Sequence, residues 1–179
     1  MLVWWMGDRL AAQLIWRADE WADRPWSLWT SAWVHMNTQH LISNQLAVGA
    51  LAAMAWVLKP GLRASLAWLL TWPIIPLVLP YWPHIGYYAG LSGLIHAAVA
   101  VVGVYLLAGH AAVPMARRWG LLLWLGLLVK LLVERAWHWP VVWSDNLGLS
   151  VVQSAHLVGA VAGAVAMLAM LTKALDQAD

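Results

Sequence analysis

The sequence predicts an all-α protein, a polytopic bundle of membrane-spanning helices. Three observations carry that expectation. The 179 residues are 63% hydrophobic and only 10% charged, where a soluble domain carries roughly a quarter charged residues. Several stretches approach the roughly 20 apolar residues that a helix needs to cross the hydrocarbon. There are sixteen tryptophans and no phenylalanine, and indole favours the membrane–water interface. A soluble enzyme, a nucleic-acid binder and a disordered chain are thereby poor readings, and a net charge of +2 makes no polyanion-binding surface. With no cysteine there is no disulfide, thiolate metal site or cysteine nucleophile.

Taken in order, residues 1–16 are too short and too polar for a span, with Asp8 and Arg9 inside them. They also lack the basic start and cleavage site of a signal peptide. Trp16, Trp21, Trp26, Trp29 and Trp33, mixed with Asp19, Glu20, Asp23 and Arg24, read as a segment lying in the interface. Five expected spans follow. Residues 41–58 end at the Lys59-Pro60-Gly61 turn, and residues 64–82 carry Pro73, Pro76 and Pro80, which loosen the helix. Residues 92–109 are entered through Gly86, Gly90 and Gly93. Residues 119–133 are short and extend towards Trp137. Residues 155–171 hold one clearly polar group, His156.

Lys59, Arg63, Arg117, Arg118 and Lys173 fall at one set of span ends, with Arg135 alone in the opposite loops. Positive residues favour the cytoplasm, so the C-terminus is expected there. The first, third and fifth spans run in one direction. Each opens on polar residues: His40 with Asn44, then Ser92, then His156. Alternation therefore gathers these groups near the extracytoplasmic face.

Their chemistry fits acyl transfer. Ser92 sits in Gly-Leu-Ser-Gly, between Gly90 and Gly93. A serine hydroxyl needs a base to become a nucleophile, and a helix N-terminus aims free N–H groups at developing negative charge. Alone, the motif also reads as an ordinary N-cap. An ionisable group in an apolar span is a functional candidate, and imidazole, with an ordinary pKa of about 6.5, suits a general base. His156 also reads as an interhelical hydrogen-bonding residue. Gly159 and Gly163 lie on its face of the helix, where small residues let a neighbour approach. His40 and Asn44, at i and i+4, share a face and read either as oxyanion donors or as packing hydrogen bonds. The seven histidines show no metal-ligating pair on one helix, and no metal or other cofactor is expected. Lys130 and Glu134 also lie at i and i+4, in the order less favourable to a helix. They read as a pair packed on a neighbour, as Lys130 reaching outward, or as part of a polar substrate cavity.

The order His40-Leu-Ile-Ser-Asn44, Gly90-Leu-Ser92-Gly93 and Ala155-His156 through Gly159 to Gly163 resembles the rhomboid intramembrane serine proteases. It is most similar to their bacterial subgroup, the rhombosortases, through His35-Met-Asn37, His96 four residues after Ser92, and Lys130 with Glu134. The resemblance covers residues 26–163. It implies Ser92 as nucleophile and His156 as base, with the Ser92 N–H, His40 and Asn44 as the oxyanion hole. Gly90, Gly93, His96, Gly159, Gly163, Lys130 and Glu134 would support them. It implies a multi-pass protein of the bacterial inner membrane, its site opening to the extracytoplasmic side. The partners would be the lipid bilayer and transmembrane substrates with a C-terminal anchor, such as Gly-Gly-type sorting anchors; no nucleic acid is implied. The chain would divide into an interfacial segment and loop (1–39), a rhomboid-like core (40–173) and a short cytoplasmic tail (174–179). Three departures stand out. Ser27 follows Trp26 where the family has arginine, Ala97 follows His96 where the subgroup has glycine, and the first of six family spans is absent or reduced to residues 1–16. An inactive rhomboid-like protein that binds membrane segments is the alternative.

Overall fold

A computed structural model of the chain describes residues 7–175, with side chains to residue 172. Residues 1–6, residues 176–179 of the expected tail, and the Lys173 side chain lie outside the described set. The protein is mostly helical. Two short N-terminal helices, α1 (Asp8–Leu14) and α2 (Ser27–Thr30), precede five longer ones: α3 (Thr38–Leu58), α4 (Leu62–Val78), α5 (Ser92–Leu107), α6 (Ala116–Glu134) and α7 (Gln153–Leu175). Three helical stretches are long and apolar enough to cross a membrane: Thr38–Leu58, Leu62–Tyr81 and Gln153–Thr172, with mean hydropathies of 1.6–1.9. This is a membrane protein. Of the other two expected spans, α5 is apolar but only 16 residues long, and α6 carries Arg117, Arg118, Lys130 and Glu134.

The helix limits have local causes. Asn37 caps α3 by accepting from the His40 N–H at 2.8 Å, and Lys59 stops it in the left-handed region at φ 47°, where few non-glycine residues go. Pro73 and Pro76 lie inside α4, which tightens into a 3-10 turn over Leu79–Tyr81. The expected extension of the fourth span towards Trp137 does not occur. Arg135, at φ 50°, turns left-handed and closes α6 through its N–H on the Leu131 carbonyl.

Successive long helices run antiparallel. Gly120, near the start of α6, lies against Leu106 and Leu107 at the end of α5, while Glu134 at its other end meets His156 at the start of α7. The tightest crossing joins α5 to α7. A Cβ on Gly159 would overlap the Gly93 carbonyl, and one on Gly163 would come 2.6 Å from the Ala97 carbonyl oxygen. Ala97 is itself fully buried, so alanine fits this small-residue seam. Gly159→Ala is accordingly expected to destabilise the fold by about 1–3 kcal/mol, the cost of overpacking. Gly126→Ala, whose Cβ would meet nothing within 4 Å, should be neutral or mildly stabilising. Thermal unfolding in detergent compares the two.

Two small antiparallel ribbons complete the fold. In one, β1 (Trp16–Arg17) pairs with β2 (Tyr87–Tyr88), Trp16 opposite Tyr88. In the other, β3 (Val141–Ser144) pairs with β4 (Leu149–Val152) to form a hairpin over the end of α6 and the start of α7. The N-terminal segment differs from a strip lying in the interface. Trp16 is completely buried and belongs to one core with Leu28, Ala32, Ile75, Leu79 and Tyr88. Trp26, Trp29 and Trp33 keep about half their surface exposed. Several indoles also serve as clamps: Trp72 donates to the Trp29 carbonyl and Trp68 to the Leu94 carbonyl, each at 3.0 Å.

Candidate active site

The N-terminal segment shapes the approach to Ser92. The β1–β2 ribbon fixes Tyr87 and Tyr88, and the Ser31 carbonyl accepts the Gly90 N–H at 2.9 Å. Gly90 adopts φ 111°, a conformation open to glycine almost alone. A Cβ there would lie 2.7 Å from the His40 ring and 3.5 Å from Asn44 Nδ2. The glycine thus brings the loop before Ser92 against both expected oxyanion donors. Ser92 then begins α5, half-buried, its backbone N–H among those that a helix start leaves free.

His40 and Asn44 are both buried. The Met36 N–H points at His40 Nδ1 across 3.5 Å, which places the ring proton on Nε2, the nitrogen facing Gly90. Asn44 Nδ2 is buried and without a hydrogen-bond partner among the described residues. An unpaired buried donor beside the loop before Ser92 has a cost that an anion bound there would offset. His35 packs edge-on against His40, ring centroids 5.1 Å apart, and burial holds its imidazole below the ordinary value. Asn37 ties this end of α3 to the hairpin by donating to the Leu147 carbonyl at 2.7 Å.

His156 is 4% exposed. Its Nδ1 donates to both oxygens of Glu134, at 2.9 and 3.0 Å, so its lone pair is on Nε2. That nitrogen is buried with no partner among the described residues, and the expected Ser92–His156 hydrogen bond is not formed. The Tyr88 phenol lies against Gly93 instead, and burial pushes it up. The His96 ring stacks on His156 with centroids 4.1 Å apart and planes within 7°, and its Nδ1 donates to the Ser92 carbonyl at 2.7 Å.

Glu134 is the residue whose role the sequence leaves open. Its carboxylate is buried, receives Lys130 Nζ on one of the two oxygens that face His156, and leaves the lysine about half exposed. Glu134 thus packs on a neighbouring helix through His156, while Lys130 extends from it towards the surface. The pair is a chain from solvent through Lys130 and Glu134 to the imidazole. A cleft of about 460 Å³, lined by Lys130, Glu134, Gln153, His156 and the hairpin, opens beside it. All of the expected site residues except Gly163 therefore sit at one end of the bundle, with Gly159 and Gly163 forming the seam behind them. The trio His96, Glu134 and His156, absent as a pattern on any one helix, is assembled from three. No family model, curated protein or solved structure matches the chain.

Proposed function

We propose that the protein is an intramembrane serine endopeptidase of the rhomboid type, nearest the rhombosortases, in which Ser92 is the nucleophile, His156 the general base and Glu134 the residue that orients the base. The observation that carries this reading is the Glu134–His156 pair: a buried carboxylate holds Nδ1–H and leaves a buried Nε2 lone pair unused, at the end of the bundle where Ser92 begins α5. On substrate binding the Ser92 hydroxyl turns towards that nitrogen, gives up its proton and attacks a peptide carbonyl. His40 Nε2–H, Asn44 Nδ2–H and the Ser92 N–H receive the oxyanion. His156 then returns the proton to the leaving amine, and water releases the acyl group.

The substrate in this reading is the membrane anchor of another protein, unwound near small residues. The packing of α3 supports lateral access: only 11% of its apolar stretch is buried, against 39% for α7. We read all five long helices as spans. Lys59, Arg63, Arg117 and Arg118 lie at the end away from the site, which supports a site facing the extracytoplasmic side of a bacterial inner membrane. Anchors of the C-terminal Gly-Gly type follow from the resemblance alone. The unformed Ser92–His156 bond favours one other reading, an inactive relative that binds membrane segments.

A serine-directed fluorophosphonate separates the two without a known substrate. It should label the purified protein at Ser92, and labelling should vanish in Ser92→Ala. Because the adduct places an oxygen in the oxyanion hole, His40→Ala and Asn44→Ala should slow labelling by roughly 10- to 1000-fold, the scale for one lost donor. An unlabelled, folded wild-type protein would leave the binding reading.

A further inference from the structure

We propose that the end of α6 nearest the site binds one anionic phospholipid of the phosphatidylglycerol type, with Arg135 holding the phosphate and the last turns of the helix holding an acyl chain. A groove of about 520 Å³ there is lined by Val129, Leu132, Val133, Arg135 and Trp139. Val129, Leu132 and Val133 stand at i, i+3 and i+4 on one face of the helix, and each keeps half or more of its surface exposed. The same face continues through Leu128 and Leu125, also exposed. At 1.5 Å per residue, Val129 lies about 9 Å from Arg135 along the axis. The groove therefore descends from a cation at the interface to the depth of the lipid hydrocarbon. The site rests on the reading of α6 as a span and is independent of the protease chemistry.

The turn after the helix presents that charge. Arg135 is left-handed at φ 50°, and its carbonyl accepts the N–H groups of both His138 and Trp139 at 2.8 Å. This tight return folds Trp139 back beside the helix, where an indole suited to headgroup depth shares the groove with a guanidinium. Arg135 is exposed, and its side chain meets no carboxylate among the described residues. The adjacent Glu134 faces the other way, into the bundle, where Lys130 and His156 engage it. Arg135 is also the one basic residue in the loops at this end outside the N-terminal segment, on the side where positive residues are scarce.

Charge complementarity selects the occupant. A guanidinium takes phosphate oxygens through parallel N–H donors. Phosphatidylglycerol brings a phosphodiester anion with no cation of its own, whereas the ammonium of phosphatidylcholine already answers its phosphate. A second copy of the chain is a poorer fit. Two copies related by a twofold axis place the same patch on both sides, so that one Arg135 would meet the other with no carboxylate between them.

The test uses purified full-length protein in detergent, titrated with phosphatidylglycerol or phosphatidylcholine of the same acyl chains and read by native mass spectrometry. The tightest site should hold one phosphatidylglycerol per chain, about fivefold or more tightly than phosphatidylcholine, the scale for one basic residue meeting an anionic headgroup. Arg135→Gln should erase that preference, and Arg118→Gln, at the other end of α6, should keep it. Equal retention of the two lipids would overturn the proposal, as would a preference that survives Arg135→Gln or a dimer whose formation excludes the lipid. Crosslinking of the unsubstituted protein covers the case in which Arg135→Gln does not fold. Phosphatidylglycerol with a diazirine near the head of one acyl chain should mark residues 125–139, and crosslinks confined to other segments reject the site. Because the chain has no cysteine, a single nitroxide attached in Leu125→Cys tests the span separately. A label reached by water-soluble relaxation agents rather than by oxygen rejects α6 as a span, and the site with it. An oxygen-accessible label without any lipid preference rejects the site alone.

Discussion

Ser92→Ala is expected to abolish peptide cleavage, and His156→Gln to do the same. Each loss should approach the roughly millionfold scale seen when a serine protease loses its nucleophile or base. The two act on one proton: without Ser92 there is no oxygen to activate, and without His156 nothing accepts from it. The double variant should therefore lose little more than either single one. Ser92 is half-buried at a helix start, so its alanine variant should unfold near the wild-type temperature. His156 calls for glutamine as well as alanine, because truncation leaves the Glu134 carboxylate buried with Lys130 as its one side-chain partner. A buried charged group that loses a partner costs at least 1–3 kcal/mol, and a fall in thermal stability in His156→Ala is the expected companion of lost activity. Appreciable cleavage by purified Ser92→Ala protein would end the serine-protease reading.

The parts of this arrangement that are legible in the sequence are local patterns joined by simple alternation. His40 with Asn44, Ser92, and His156 each open an apolar helix, and helices that alternate in direction put those openings at one end. Gly159 and Gly163 are likewise readable, since two glycines one helical turn apart announce a close neighbour; the fold adds that the neighbour is Gly93 and Ala97. Glu134 is different. That it reaches His156 depends on α6 stopping at the left-handed Arg135 and on the hairpin returning the chain to begin α7 beside it. The Lys130–Glu134 spacing invites a reading within one helix, whereas the partner that matters is 22 residues away. The hairpin did leave a signal: β-branched and aromatic runs, Val141-Val-Trp143 and Ser150-Val-Val152, flank Asp145-Asn-Leu-Gly148, a turn-forming sequence. It is obscured because apolar strands in an apolar chain carry no contrast. Trp16 shows the opposite problem. Sixteen tryptophans suggest an interface, and composition gives no sign that this one is enclosed by pairing with Tyr88.

Glu134→Gln is the second large effect, with kcat expected to fall by about 10²- to 10⁴-fold, the upper end being the loss when the orienting carboxylate of a serine triad becomes an amide. The carboxylate only accepts, so it fixes the His156 proton on Nδ1 and the lone pair on Nε2. An amide can instead donate to Nδ1, and the proton then moves to Nε2, where the ring cannot act as base. The carboxylate also stabilises the imidazolium formed as Ser92 attacks, an interaction stronger in the transition state than before it. The loss should therefore appear in kcat, with KM nearly unchanged, as removal of a transition-state interaction does. Glu134→Asp keeps the charge on a shorter arm and should recover part of the rate. Lys130→Met should cost about tenfold or less, because the half-exposed lysine reaches His156 only through Glu134. A purely structural Glu134 would give another pattern: lower unfolding temperatures in the glutamine and aspartate variants alike, with wild-type kcat in whatever remains folded. Steady-state kinetics on the four proteins, read beside their unfolding temperatures, distinguishes these outcomes.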